Sequence, residues 1–221
     1  MEQKINQQNN FFYLTIALIL LLMSSSLVHA ISGGLLEYIL QGFTALTFII
    51  CLMSLRFDKG WYRFLTSLAC CWLVAILIRH LVGAQQLDAI MLVLMFAFFF
   101  GTFKSITKQI LFTGHRVDSN KIIGSVALFL LLGLMWSIAY LLILEFSPES
   151  FTGMTDKPWG ENFSRMAYFS FVTLTTLGYG DISPASPFSQ SIVYMEAIAG
   201  VFYMAIVVAS LVSSSQHNYN K

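Results

Sequence analysis

Six apolar stretches alternate with short polar ones along this chain, at approximately 11–30, 35–55, 61–82, 87–103, 122–144 and 189–212. A helix needs about 20 apolar residues to cross the hydrocarbon core of a bilayer. Hydrocarbon offers no partner to a backbone N–H or C=O, so each stretch is most simply a helix bonded within itself. The fifth is the cleanest, with no charge from Ile122 to Leu144. The third carries Arg63, Arg79 and His80 near its ends, where long side chains snorkel to the interface. The fourth has 15 uncharged residues after Asp88, so it is short or runs on into the following linker.

Composition agrees. Of 221 residues 57% are hydrophobic, 15% aromatic and 10% charged, against about 25% charged in a soluble domain. So few charges cannot cover a water-facing surface of ordinary size, which excludes a soluble enzyme. The net charge of +1 gives no basic patch for a nucleic acid. Cys51, Cys70 and Cys71 lie inside apolar runs and form no CxxC pair, zinc spacing or disulfide framework. The expected class is an all-α integral membrane protein without enzymatic activity.

Lys and Arg set the orientation. With the N-terminus in the cytoplasm, nine basic residues lie inside: Lys4, Arg56, Lys59, Arg63, Lys104, Lys108, Arg116, Lys121 and Lys221. Three lie outside, Arg79, Lys157 and Arg165, together with the acidic Glu145, Glu149, Asp156 and Glu161. Six crossings return the C-terminus to the cytoplasm, and a bacterial inner (plasma) membrane is the expected location. Residues 11–23 followed by Val28-His29-Ala30 also resemble a signal peptide with its cleavage site. Cleavage there would leave the orientation of the other five spans unchanged. Linker 104–121 mixes Ile106, Ile110, Leu111 and Phe112 with Lys104 and Lys108. It reads as an amphipathic helix on the inner membrane surface, ending near Gly114, or as a plain solvated loop.

Between spans five and six, residues 163–174 suit a short helix with Asn162 or Ser164 as its N-cap. At about 18 Å it cannot cross a bilayer, so it enters and returns. Irregular backbone at that depth is tolerated only where it lines a cavity or is buried in protein. The segment that follows is Thr175-Thr176-Leu177-Gly178-Tyr179-Gly180-Asp181. Glycines on both sides of Tyr179 supply backbone angles that other residues reach only with strain. Consecutive carbonyls can then turn to one side and replace the water shell of a monovalent cation. The preceding helix directs about half a negative charge from its C-terminus toward the cavity beneath.

Thr175 to Asp181 resembles the potassium-channel signature, whose carbonyl filter is the standard illustration of this kind of selectivity. The resemblance extends over a whole pore module: outer helix 122–144, pore helix 163–174, filter 176–180 and inner helix 189–212. It implies that K+ is bound by the carbonyls of Thr176, Leu177, Gly178 and Tyr179, with Gly180 completing the filter and the Thr176 hydroxyl closing the innermost site. It implies too that Asp181 holds the outer mouth, and that Tyr168 and Phe169 stand where relatives often carry tryptophans. Leu177 replaces the commoner valine or isoleucine, and Val172 stands where some relatives have a carboxylate. One chain supplies one strand of the filter, and a dehydrated K+ needs about eight oxygens, so a homotetramer is implied. No cofactor is implied beyond the permeant K+.

On the inner helix, Gly200 is a hinge or a close-packing point. Val201, Met204, Val208 and Val212 share one face and are candidates for a cavity wall or gate, or for core. Glu196, the one charge in this span, should face the pore helix or another polar partner. The four preceding spans, within 1–103, resemble the sensor of voltage-gated channels but carry no Lys or Arg from Ala89 to Phe103. Weak voltage dependence is therefore expected. Arg79, Glu37 and Asp88 fall near outer span ends, where a structural ion pair among them is plausible, and His115 is an exposed titratable group in the linker. The tail 213–221 is too short to fold, so the stimulus would act through lipid, the filter, the first four helices or an unidentified regulatory partner. A less selective cation channel, a secondary transporter and a membrane scaffold are the alternatives. Transporters usually show internal repeats, and none is visible here.

Overall fold

A computed structural model of the chain describes residues 10–28, 35–54, 59–82, 87–112, 119–154 and 157–208. Seven helices account for most of them: α1 (Asn10–Val28), α2 (Leu35–Ser54), α3 (Lys59–Val82), α4 (Leu87–Phe112), α5 (Ser119–Phe146), α6 (Trp159–Leu174) and α7 (Pro187–Tyr203). Lys59–Val82, Leu87–Ile110, Asn120–Phe146 and Pro187–Ile206 are long and apolar enough to cross a membrane; Phe11–Ser26 and Tyr38–Met53 are shorter apolar helices.

Each of the first four helices turns one stripe inward. On α1 it is Leu14, Leu18 and Leu21, on α2 Leu40, Thr44, Phe48 and Cys51, all buried at helical spacing. Phe48 is the centre of an aromatic knot, stacked on Phe98 of α4 at 4.0 Å and edge-on to Trp72 of α3 at 5.1 Å. The aromatic run in the fourth helix divides accordingly. Phe98 and Phe99 are buried, while Phe100 faces outward. On α3 the opposite face, with Leu73, Leu77, Leu81 and Val82, is apolar and exposed, as a lipid-facing surface requires.

The α5 helix is apolar all round and is correspondingly central: α1, α4, α6 and α7 all pack against it. Thr15 of α1 donates to the Ile123 carbonyl at 3.4 Å, so α1 is seated on α5.

The linker expected over 104–121 is not a separate element in its first half. The α4 helix continues unbroken to Phe112, because no glycine or proline interrupts 102–112 and Ile106 and Ile110 are buried like the stripe before them. Lys104 sits over the Trp61 ring at 4.9 Å, a cation–π contact that ties this extension to α3. Arg79 and Asp88 form the outer ion pair, at 2.5 Å from Nε to Oδ1. The Glu37 side chain, His115, the Val28–Ala30 site and the tail 213–221 lie outside the described residues or side chains.

Two elements have no counterpart in the hydrophobic pattern. After a 3-10 turn at Pro148–Ser150, strand β1 (Phe151–Thr152) pairs antiparallel with β2 (Ser183–Pro184), Thr152 opposite Ser183. Beyond α7 the helix widens into a π turn, Met204–Val208.

Candidate conduction site

The α6 helix has 16 residues, about 24 Å at 1.5 Å per residue, too short to span. It starts four residues earlier than its sequence suggests. Asn162 and Ser164 are not the N-cap: Pro158 is, with no side-chain cap. The Pro158 carbonyl accepts from Glu161 and Asn162 backbone N–H groups, and the Asn162 side chain instead donates to the Lys157 carbonyl at 2.9 Å. Trp159, Phe163, Met166, Ala167, Phe169, Ser170 and Leu174 form the buried face of α6.

At its C-terminal end the chain turns sharply. The Thr175 N–H bonds the Phe171 carbonyl at 3.0 Å, and the Thr176 N–H that of Thr173 at 2.9 Å. The N–H groups of Leu177 and Gly178 both point back to the Val172 carbonyl, at 2.9 and 3.3 Å. In a trans peptide C=O and N–H point in opposite directions. Anchoring those two N–H groups therefore turns the carbonyls of Thr176 and Leu177 away from the helix. The backbone sustains this direction: φ is 61° at Thr176, 58° at Gly178 and 79° at Gly180, and is not positive at Leu177 or Tyr179. Such alternation in the sign of φ lets successive carbonyls turn to one side, which a strand cannot do. The glycines marked this from sequence; Thr176, a β-branched residue in the left-handed region, did not. It is held there at a cost, by the ring of backbone bonds just described.

Thr175 to Asp181 are exposed in the single chain, with Leu177 and Tyr179 more than half accessible. The Tyr179 ring stacks parallel to Tyr168 of α6, centroids 6.5 Å apart. Tyr168 also lies near the Asp181 carboxylate. Phe169 turns the other way, into a cluster with Tyr140 and Phe151. The two residues at the tryptophan positions thus differ in surroundings, one against Tyr179 and one against Tyr140 and Phe151.

The exit of the segment is tied down by the β1–β2 pair. Ser150 accepts from the Ala185 N–H and from the Ser189 hydroxyl, each at 2.8 Å. Gly153 (φ 78°) is pressed against Asp181: an added Cβ would fall closer than 3.0 Å to its carbonyl oxygen. Arg165 of α6 donates to the Gly153 carbonyl.

Behind α6, Glu196 of α7 is fully buried. One of its oxygens accepts from the Tyr140 hydroxyl of α5 and the other meets the Ser170 hydroxyl of α6. Neither partner carried a signal in the sequence. A tyrosine within α5 and a serine within α6 become a pair only when three helices converge.

Gly200 is buried against the end of α6. A Cβ there would lie closer than 3.0 Å to the Leu174 carbonyl oxygen and 3.2 Å from its carbon. Of the two readings, close packing is the one its surroundings satisfy. Val201 and Met204 are exposed. The π turn after Met204 breaks the four-residue phase that placed Val208 on their face, since each π turn holds one more residue. Val212 and the Val208 side chain lie outside the described residues.

An all-helical bundle with apolar exposed faces and a broken hairpin between two long helices defines a multi-pass membrane protein with a channel-type element. Comparison with known proteins agrees: residues 126–216 match a protein-family model described as "Ion channel". Among curated relatives, the chain is similar to the potassium voltage-gated channel protein shk-1 of Caenorhabditis elegans, 41% identical over 54 residues, 24% of this chain and 10% of that protein. It is also similar to the potassium voltage-gated channel subfamily A member 10 of Mus musculus and of Homo sapiens, 31% identical over 93 residues, 41% of this chain and 18% of each. The matches therefore span less than a fifth of those relatives. No solved structure matches the chain. Both comparisons point to channel proteins rather than to an enzyme.

Proposed function

We propose that this chain is the subunit of a potassium-selective channel, in which four copies bring segment 175–181 to one axis. The observation that carries the reading is the backbone of that segment: positive φ at Thr176, Gly178 and Gly180, with two N–H groups anchored on the Val172 carbonyl. The carbonyls so released meet no donor among the described residues. A dehydrated K+ needs about eight oxygens, and four strands supply them in stacked rings. The large exposure of Leu177, Tyr179 and Tyr168 supports assembly, since these apolar rings and chains would be covered by neighbouring copies. The topology is six crossings with both termini cytoplasmic, the inside carrying nine of twelve basic residues. Residues 1–103 form a sensor-like domain without gating charge, and 122–212 form the pore. The outer carboxylates Glu149, Asp156 and Glu161 raise the local cation concentration modestly.

Purified protein in liposomes holding a K+ gradient tests this. Barium-sensitive flux with K+ far above Na+ is expected. Equal passage of K+ and Na+ would mean a non-selective pore, and saturable, ion-coupled exchange a transporter.

A further inference from the structure

The carboxyl group of Glu196 has no cationic partner among the described residues and no access to solvent. It comes from α7. The groups facing it are the Tyr140 hydroxyl from α5 and the Ser170 hydroxyl from α6, Tyr140 being the one titratable group among them. An unpaired carboxylate in such a place is expensive and is normally neutralised or paired.

The protons can be counted. Tyr140 has one, given to Oε2 of Glu196. Ser170 also has one, yet its oxygen is within hydrogen-bonding distance of two acceptors, Oε1 of Glu196 and, at 2.8 Å, the carbonyl oxygen of Gly133 in α5. If Glu196 were ionised, a single proton would serve both contacts, leaving two oxygens in contact without a hydrogen between them. If Glu196 is the neutral acid, the count closes. Its own proton goes to Ser170, the Ser170 proton to Gly133, and the Tyr140 proton to the remaining carboxyl oxygen.

From this we infer that Glu196 is a protonated acid whose hydrogen-bond chain, Tyr140 to Glu196 to Ser170 to Gly133, fastens the pore helix to the outer and inner helices and so positions the filter. Ser170 is two residues before Val172, whose carbonyl anchors the filter N–H groups. Slack at Ser170 is passed to that anchor within one helical turn. The role is one of positioning, and it rests on the channel reading above. What it adds is a protonation state and a residue set outside the filter.

Two measurements on the full-length protein in lipid test it. The first is infrared difference spectroscopy between wild type and Glu196→Gln. The expected difference is loss of a protonated-carboxyl C=O band; loss of an ionised-carboxylate band overturns the inference. The second is K+ against Na+ flux. Glu196→Gln stays neutral, with an N–H for Ser170 and a C=O for Tyr140, and should keep discrimination within about twofold. Glu196→Ala strands the hydroxyls and should lower it about tenfold, the scale of one buried unsatisfied group. Should Glu196→Ala fail to assemble, Ser170→Ala carries the same expectation. Glutamine behaving like alanine, or alanine like wild type, overturns the inference. A wild type that shows the protonated band but passes no K+ sinks the channel reading alone.

Discussion

Gly200→Ala separates two physical roles by the sign of one number. If Gly200 served only as a flexible point in α7, alanine would remove backbone entropy from the unfolded chain and stabilise the helix by about 0.5–1 kcal/mol. The structure opposes this with a collision. The new methyl would lie closer than 3.0 Å to the Leu174 carbonyl oxygen, and 3.2 Å from both its carbon and its Cδ1. The first two are backbone at the end of α6, so no side-chain rotation relieves them. Overpacking of this kind costs about 1–3 kcal/mol, and after the helix-propensity gain a net loss of up to about 2.5 kcal/mol remains. Part of the relief would come from displacing the last turn of α6, two residues beyond the Val172 anchor, so selectivity should fall together with stability. Thermal unfolding of the detergent-solubilised protein measures the first and liposome flux the second. Gly42→Ala and Gly60→Ala are the controls, since a methyl there meets nothing within 4 Å and should leave melting unchanged or slightly higher. A Gly200→Ala protein that melts at or above wild type with intact selectivity would refute the packing argument.

Gly153→Ala should also damage the filter from outside. A left-handed φ of 78° costs an L residue about 1–2 kcal/mol, and its methyl would collide with the Asp181 carbonyl oxygen; unchanged flux and melting would show that the loop yields freely. Current–voltage relations of the reconstituted protein should be shallow, because Ala89 to Phe103 of α4 carry no Lys or Arg and each charge moved through 100 mV contributes only about 2.3 kcal/mol. Steep activation over a few millivolts that survives Lys104→Gln and Lys108→Gln would count against a sensor-free α4.

The helices were legible because their signal is local. Each apolar run in the pattern became a helix that starts within a few residues of its expected bound, and α6 followed from a run too short to span, but α4 ends at Phe112 where 103 was expected and α7 at Tyr203 where 212 was expected. Boundaries moved where a neighbour decided them. The α4 helix runs on to Phe112 because Ile106 and Ile110 find the bundle core and Lys104 finds Trp61. The start of α6 retreats to Pro158, where backbone bonds replace a side-chain cap.

By itself the sequence determined the membrane character, the hairpin between two long apolar runs, and the left-handed positions at Gly178 and Gly180, all of which depend on residue type and near neighbours along the chain. Only the tertiary structure decided that Thr176 shares that conformation, that Glu196 meets Tyr140 and Ser170 across distances of 56 and 26 residues, and that Gly200 is in contact with Leu174. For Thr176 the cause is the ring of backbone bonds back to residues 171–173; for Glu196 and Gly200 it is packing between helices. A hydrogen bond or a van der Waals collision acts over a few ångströms, and which groups come that close is set by the packing of helices, whose partners the chain's own order does not name.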